Sequence, residues 1–206
     1  EKCQGEGQLT ISMQFMADVH LKCDECDGKR FKDEVLEVKF KGKNISQVLE
    51  MTVEESLDFF NEDNTLCKKI KAKIFALSEV GLEYVQLGQA SNTLSGGEAQ
   101  RIKLASFLSH NKSKQKKFFI FDEPTTGLHF HDVKKLIKAL QDLVEMGHHV
   151  VIIEHHMDII KSADWIVDLG PEGGDKGGNL VFEGSPESFV KSKVLSPTKD
   201  HLKEYI

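Results

Sequence analysis

The chain has 206 residues, of which 39% are hydrophobic and 29% charged. That excludes global disorder and leaves room for one generous domain or two small ones. The formal charge of -6 excludes a uniformly basic nucleic-acid binder. The balance is uneven, however: residues 1–120 hold 18 basic and 18 acidic side chains, and residues 121–206 hold 9 against 15. No apolar run approaches the roughly 18 residues of a membrane helix, and no signal-peptide pattern opens the chain. Glu1 stands where a complete protein would begin with Met, so a piece of something longer is expected.

Residues 1–45 alternate short β-like runs, Leu9–Met13 and Val35–Phe40, with Gly-containing turns such as Cys26-Asp27-Gly28-Lys29. Four cysteines are too few for a secreted disulfide scaffold. Cys3, Cys23 and Cys26 are grouped, and the C-x2-C spacing of the last two favours metal over disulfide chemistry. Residues 46–113 read as helical. Thr52-Val53-Glu54-Glu55 forms a capping-box pattern, and Ile70, Ile74 and Leu77 share a face of a helix starting near Thr65. The basic linker Asn111–Lys117 marks a subdomain boundary. In residues 114–206, Phe118–Phe121 and Val150–Ile153 are continuous apolar runs, as strands covered on both faces show. Between them Val133, Leu136, Ile137, Leu140, Leu143 and Val144 recur at helical spacing, implying a parallel sheet with flanking helices. Asp164–Asp168 and Asn179–Phe182 flank a Gly-rich turn and read as an antiparallel pair.

The stretch Leu94-Ser95-Gly96-Gly97-Glu98-Ala99-Gln100-Arg101 carries the most chemistry. Ser95 and Glu98 form a capping box, so a helix starts here. Gly96 and Gly97 leave its first amides open to close approach, and a helix N-terminus with free N–H groups is an anion site. Alone, this reads first as an ordinary capped helix. It is followed by Phe118-Phe119-Ile120-Phe121-Asp122-Glu123-Pro124, an apolar strand ending in two carboxylates. Carboxylates at the end of a buried parallel strand lie on the ligand side of the sheet. There Asp122 can hold Mg²⁺ through water, and Glu123 can polarise an attacking water for phosphoryl transfer. The next strand ends Ile153-Glu154-His155 and brings an imidazole to the same rim.

Together these motifs resemble the ATP-binding-cassette ATPases, with LSGGE as the signature, Asp122-Glu123 ending Walker B, Thr126–His129 at the D-loop and His155 as the switch histidine. No G-x-x-x-x-G-K-[ST] phosphate loop occurs in the sequence. The chain therefore reads as half of a composite site, needing a Walker A segment and a partner cassette for full activity. The cysteine module, Leu82–Gln89 leading into Thr93-LSGGEAQR, Asp122–His129 and Asp164–Gly174 resemble one cassette family, UvrA, the damage-sensing ATPase subunit of the bacterial excision nuclease. That resemblance covers nearly the whole chain.

It implies an α/β fold: the C-terminal part of an ABC-type ATPase domain, with a helical signature subdomain and a small cysteine-bearing β-hairpin module. It implies ATP and Mg²⁺, with Ser95, Gly96, Gly97 and Glu98 facing a different ATP from Asp122, Glu123 and His155. Zn²⁺ would be held by Cys3, Cys23 and Cys26. The family's fourth cysteine would fall just before Glu1, so zinc affinity is expected to be reduced, with water, Cys67 or another chain as fourth ligand. The implied partners are damaged duplex DNA, touched through Lys29, Arg30 and Lys32, a UvrB-type subunit recruited through parts outside this sequence, and a second copy in a homodimer. A cytoplasmic location and no membrane are expected. Two other readings stay open: a zinc-supported DNA-binding module without turnover, and a transporter-like cassette ATPase.

Overall fold

Turns rather than strands organise the first forty residues. In the computed structural model, which describes residues 2–13, 15, 18–110, 115–172, 174 and 177–206, the first elements are the short strands β1 (Gln8–Ile11) and β2 (Val19–Lys22). They pair antiparallel from Gln8↔Lys22 to Ile11↔Val19. Around them Gln4, Gly5, Gly7, Asp27, Gly28 and Arg30 all have positive φ. Gly7 is the one position where this is doubly required. At φ +73 an added Cβ would lie 2.8 Å from the Gly28 carbonyl oxygen and 2.9 Å from the Arg30 side chain. The strand expected over Val35–Phe40 is replaced by one helical turn, α1 (Asp33–Leu36), and an isolated bridge between Phe40 and Lys43. The apolar alternation is present, but no partner strand lies beside it, and Val35 and Val38 remain exposed.

Three helices follow: α2 (Ile45–Leu49), α3 (Val53–Phe59) and α4 (Thr65–Ser78). Reciprocal capping boxes start the first two, Asn44 with Gln47 and Thr52 with Glu55, each satisfying two amides that a helix start leaves open. Their buried faces meet in a cluster of Val48, Val53, Phe60, Cys67 and Ile74. Cys67 is thus a small apolar core residue, separate from the other three cysteines.

The chain divides into two compact units, Glu1–Ser78 with Leu82–Leu94, and Glu79–Gly81 with Ser95–Ile206. In this division the signature helix groups with the α/β residues that follow it. The reason lies in its contacts, which include the buried Arg101 on the loop after the next strand and Phe107 edge-on to Phe119 at 4.8 Å between centroids. Residues 111–114 of the expected basic linker lie outside the described residues.

In the second unit α5 (Gly96–His110) leads to β3 (Phe118–Asp122), then α6 (Phe130–Glu145) and β4 (His149–Ile153). β3 and β4 are parallel, from Phe118↔His149 to Asp122↔Ile153. Helix α6 buries Val133, Leu136, Ala139, Leu140 and Leu143, a stripe at helical spacing. Among the described residues the two faces of this sheet differ in exposure. Phe119 and Phe121 point to the less exposed side, while Phe118 and Ile120 are 63% and 64% exposed. Strand alternation places Asp122 on the same face as Phe118 and Ile120. After α7 (Met157–Lys161), strands β5 (Ile166–Gly170) and β6 (Asn179–Gly184) form the antiparallel pair expected from the sequence. Helices α8 (Pro186–Lys191) and α9 (Pro197–Leu202) complete a cluster of Ile160, Ile166, Phe189 and Leu202.

Candidate functional site

Everything expected to act on a nucleotide, apart from Leu94, falls in the second unit. At the start of α5 the Ser95 amide donates to the Glu98 carboxylate at 2.7 Å, and the Glu98 amide donates to the Ser95 hydroxyl at 3.3 Å. The predicted capping box is therefore formed, and both side chains hold the helix start. The two glycines, read alike from sequence, differ. An added Cβ at Gly96 would meet nothing within 4 Å, whereas at Gly97 it would lie 3.1 Å from the Thr126 carbonyl oxygen and 3.5 Å from that of Glu123. Gly96 thus faces open space at the helix start. Gly97 is small because the loop after β3 passes close by.

Glu123 occupies the first position after β3 with φ 45, a region that non-glycine residues seldom adopt and that clusters at functional sites. Its amide continues the sheet by donating to the Ile153 carbonyl at 2.9 Å, and its carbonyl accepts from Thr126 N–H at 3.1 Å. This bend turns the carboxylate to the rim, where Glu123 Oε1 lies 3.8 Å from His155 Nδ1. The two side chains are adjacent yet beyond hydrogen-bond length. Both are well exposed, at 57% for Glu123 and 79% for His155. Asp122, one residue earlier, presents an exposed carboxylate whose backbone is clamped on both sides by Gln100. The Gln100 Nε2 donates to the Asp122 carbonyl at 2.8 Å, and the Asp122 N–H donates to Gln100 Oε1 at 3.1 Å.

Three of the groups that shape this rim carried no assigned role in the sequence. Gln100 is one. Arg101 is completely buried and donates from Nη1 to the carbonyls of Pro124 at 2.7 Å and Thr126 at 3.2 Å. Its signal is its place: Arg101, Leu104 and Ala105 form the buried stripe of α5, so an arginine stands where an apolar residue belongs. Glu154 is the third, with a side chain only 2% exposed. It accepts from the Thr125 amide at 3.0 Å, from the Thr125 hydroxyl, and from the amides of His155 at 2.8 Å and His156 at 3.0 Å. Burial pushes its carboxyl pKa up, but the Thr125 hydroxyl and the three amides together outweigh burial and hold it below the ordinary value.

In the first unit, Cys3, Cys23 and Cys26 converge, their sulfurs all within 4.8 Å of one another. The 3.7 Å between Cys3 and Cys26 Sγ matches the edge of a tetrahedral zinc–thiolate site, about 3.8 Å for bonds near 2.3 Å. An amide from Gly7 lowers the Cys3 thiol to about 7, against the opposing effect of burial and with help from Gly5, Cys26 and Cys23. Burial pushes Cys26 up. Three such thiols can bind zinc. Of the expected phosphate contacts, Lys29 and Lys32 are exposed, whereas Arg30 donates its guanidinium to the Gly88 carbonyl at 2.6 Å. Arg30 is therefore engaged in holding the fold of its own unit.

Residues 5–126 match the family model described as ABC transporter. UvrABC system protein A from Clostridium perfringens is 55% identical over all 206 residues, and that from Mesorhizobium japonicum is 53% identical. In each case the chain spans 21% of the relative's length. The crystal structure of UvrA2 from Deinococcus radiodurans superposes with a TM-score of 0.79 at 40% identity, covering the whole of this chain and 24% of that one.

Proposed function

The chain belongs to the ABC transporter family, and from that premise we propose that it is the C-terminal part of the second ATP-binding cassette of a UvrA-type DNA-damage-recognition ATPase. The observation that carries the proposal is the rim at the ends of two parallel strands. Glu123 leaves β3 on left-handed backbone and His155 ends 3.8 Å away beyond β4. In this reading the Glu123 carboxylate orients water for attack on a γ-phosphate, taking its proton as the water oxygen bonds to phosphorus and the bond to the bridging oxygen breaks, with ADP as the leaving group. His155 donates to the same phosphate and registers whether it is present. Asp122, exposed beside them, is the residue that would hold Mg²⁺ through water. That ion neutralises phosphate charge when bound with nucleotide. The open helix start at Ser95, Gly96, Gly97 and Glu98 would face the phosphates of a second ATP held by a partner cassette. The 206 residues hold no phosphate loop, so turnover belongs to the larger protein.

The cysteine hairpin would be a zinc-stabilised module close to damaged duplex DNA, with Lys29 and Lys32 contacting phosphates irrespective of sequence. ATP occupancy would control how DNA is gripped in a homodimer, before handover to a UvrB-type subunit in the cytoplasm. No helix among the described residues is long and apolar enough to cross a membrane. The experiment is Glu123→Gln in the full-length protein. ATP binding is expected to persist while hydrolysis falls by roughly 100-fold or more, as loss of a general base predicts. Hydrolysis at the unaltered rate would remove Glu123 from its role.

A further inference from the structure

A carboxylate buried this deeply is seldom idle, and Glu154 has no part in the mechanism above. Its four hydrogen bonds come from two chain segments 29 residues apart. One oxygen takes both donors of Thr125, two residues past Glu123. The other takes the amides of His155 and His156. All four acceptor positions of an ionised carboxylate are thereby filled by donors, leaving no position for a substrate. We propose that Glu154 is a positioning residue, a buried carboxylate that fixes the loop carrying Glu123 to the backbone of His155 and so sets the distance between the two groups that act on the γ-phosphate.

The chemistry explains why a carboxylate is needed there. Two short backbone segments each present two N–H or O–H groups to the same point, and only a side chain offering two acceptor-only oxygens satisfies both. Glutamine has the same shape but carries an NH₂ on one side, which would face either the Thr125 pair or the two histidine amides, donor against donor. The charge also strengthens each bond, because ionised acceptors hold donors about twice as firmly as neutral ones. The loop itself is bent at Glu123, and the Glu154 carboxylate and the buried Arg101 fasten it from inside the unit.

The inference rests on the assignment of Glu123 and His155 proposed above, and the test separates the two. Steady-state hydrolysis is measured in the full-length protein for Glu154→Gln, Thr125→Val, their double variant, and His155→Ala. If Glu154 positions the pair, Glu154→Gln lowers kcat by about tenfold or more, with KM for ATP held within about twofold, because misplacement affects the chemical step rather than binding. Thr125→Val, which removes one hydroxyl without changing shape, lowers kcat by a smaller factor, and the double variant loses less than the product of the two. Full additivity, a loss seen in KM instead of kcat, or wild-type kcat in both single variants would overturn the inference. Should Glu154→Gln fail to fold, Thr125→Val decides alone: unchanged kcat refutes the positioning role. Wild-type hydrolysis by His155→Ala would instead overturn the assignment of His155 on which this inference depends.

Discussion

The cysteine knuckles of the first unit and the loop after β3 in the second both display reactive side chains at or beside left-handed backbone, but their surroundings differ. Around the cysteines, six residues from Gln4 to Arg30 have positive φ, the strands between them are four residues long, and the side chains of β2 are exposed. What draws the knuckles together is the convergence of three sulfurs. At the loop only Glu123 and Gly127 have positive φ, and the backbone is held by buried polar side chains of the unit itself, Arg101 and Glu154. The first arrangement would be completed by a metal on its three thiols, whereas the loop of the second is fastened by hydrogen bonds from within its own unit. Small β modules without an apolar core use metals in this way, because side-chain burial alone does not offset the entropy of ordering their turns.

The comparison is broken most severely by removing metal. Cys23→Ser, or a zinc chelator applied to the full-length protein, should release zinc and reduce amide-exchange protection in β1 and β2 by about 100-fold or more, while protection in α6 is unchanged. Equal loss in both segments would show that the knuckles do not depend on metal separately. The complementary change in the second unit is Arg101→Met, which keeps volume but abandons the Pro124 and Thr126 carbonyls. It should cost about 2–4 kcal/mol in denaturant unfolding and lower the rate of hydrolysis, with zinc content unaffected.

Acid sharpens the contrast with a smaller effect. The Glu154 carboxyl lies below its ordinary value of 4.5 in the folded protein, so its contribution is complete above that value and disappears as pH falls through the lower folded value. Unfolding midpoints followed below pH 4.5 should therefore fall more steeply for the native protein than for Glu154→Gln. Parallel curves would mean that the carboxylate is not held as its hydrogen bonds indicate.

Local signals made much of this molecule legible. Thr52 with Glu55, and Ser95 with Glu98, marked helix starts that formed as expected, because a capping box is decided within four residues. The stripe on α6 and the paired carboxylates ending β3 likewise needed only periodicity and strand polarity. The sequence could also group Cys3, Cys23 and Cys26, through spacing and turn glycines. Val35–Phe40 misled, since alternation makes a strand only when another strand lies beside it. Within the described residues the apolar run Phe118–Phe121 buries Phe121 and leaves Phe118 and Ile120 exposed, because hydrophobicity records what a strand can bury and not what lies against it.

Only tertiary structure decided the rest. It joined the signature helix to the loop after β3, divided Gly96 from Gly97, engaged Arg30 on a carbonyl, and buried Arg101 and Glu154. Each of those outcomes depends on a partner about twenty or more residues away, and for a buried polar group the partner is everything. Glutamate or arginine in a sequence most often means a solvated surface charge. Here, hydrogen bonds from distant segments convert both into the fastenings of the rim.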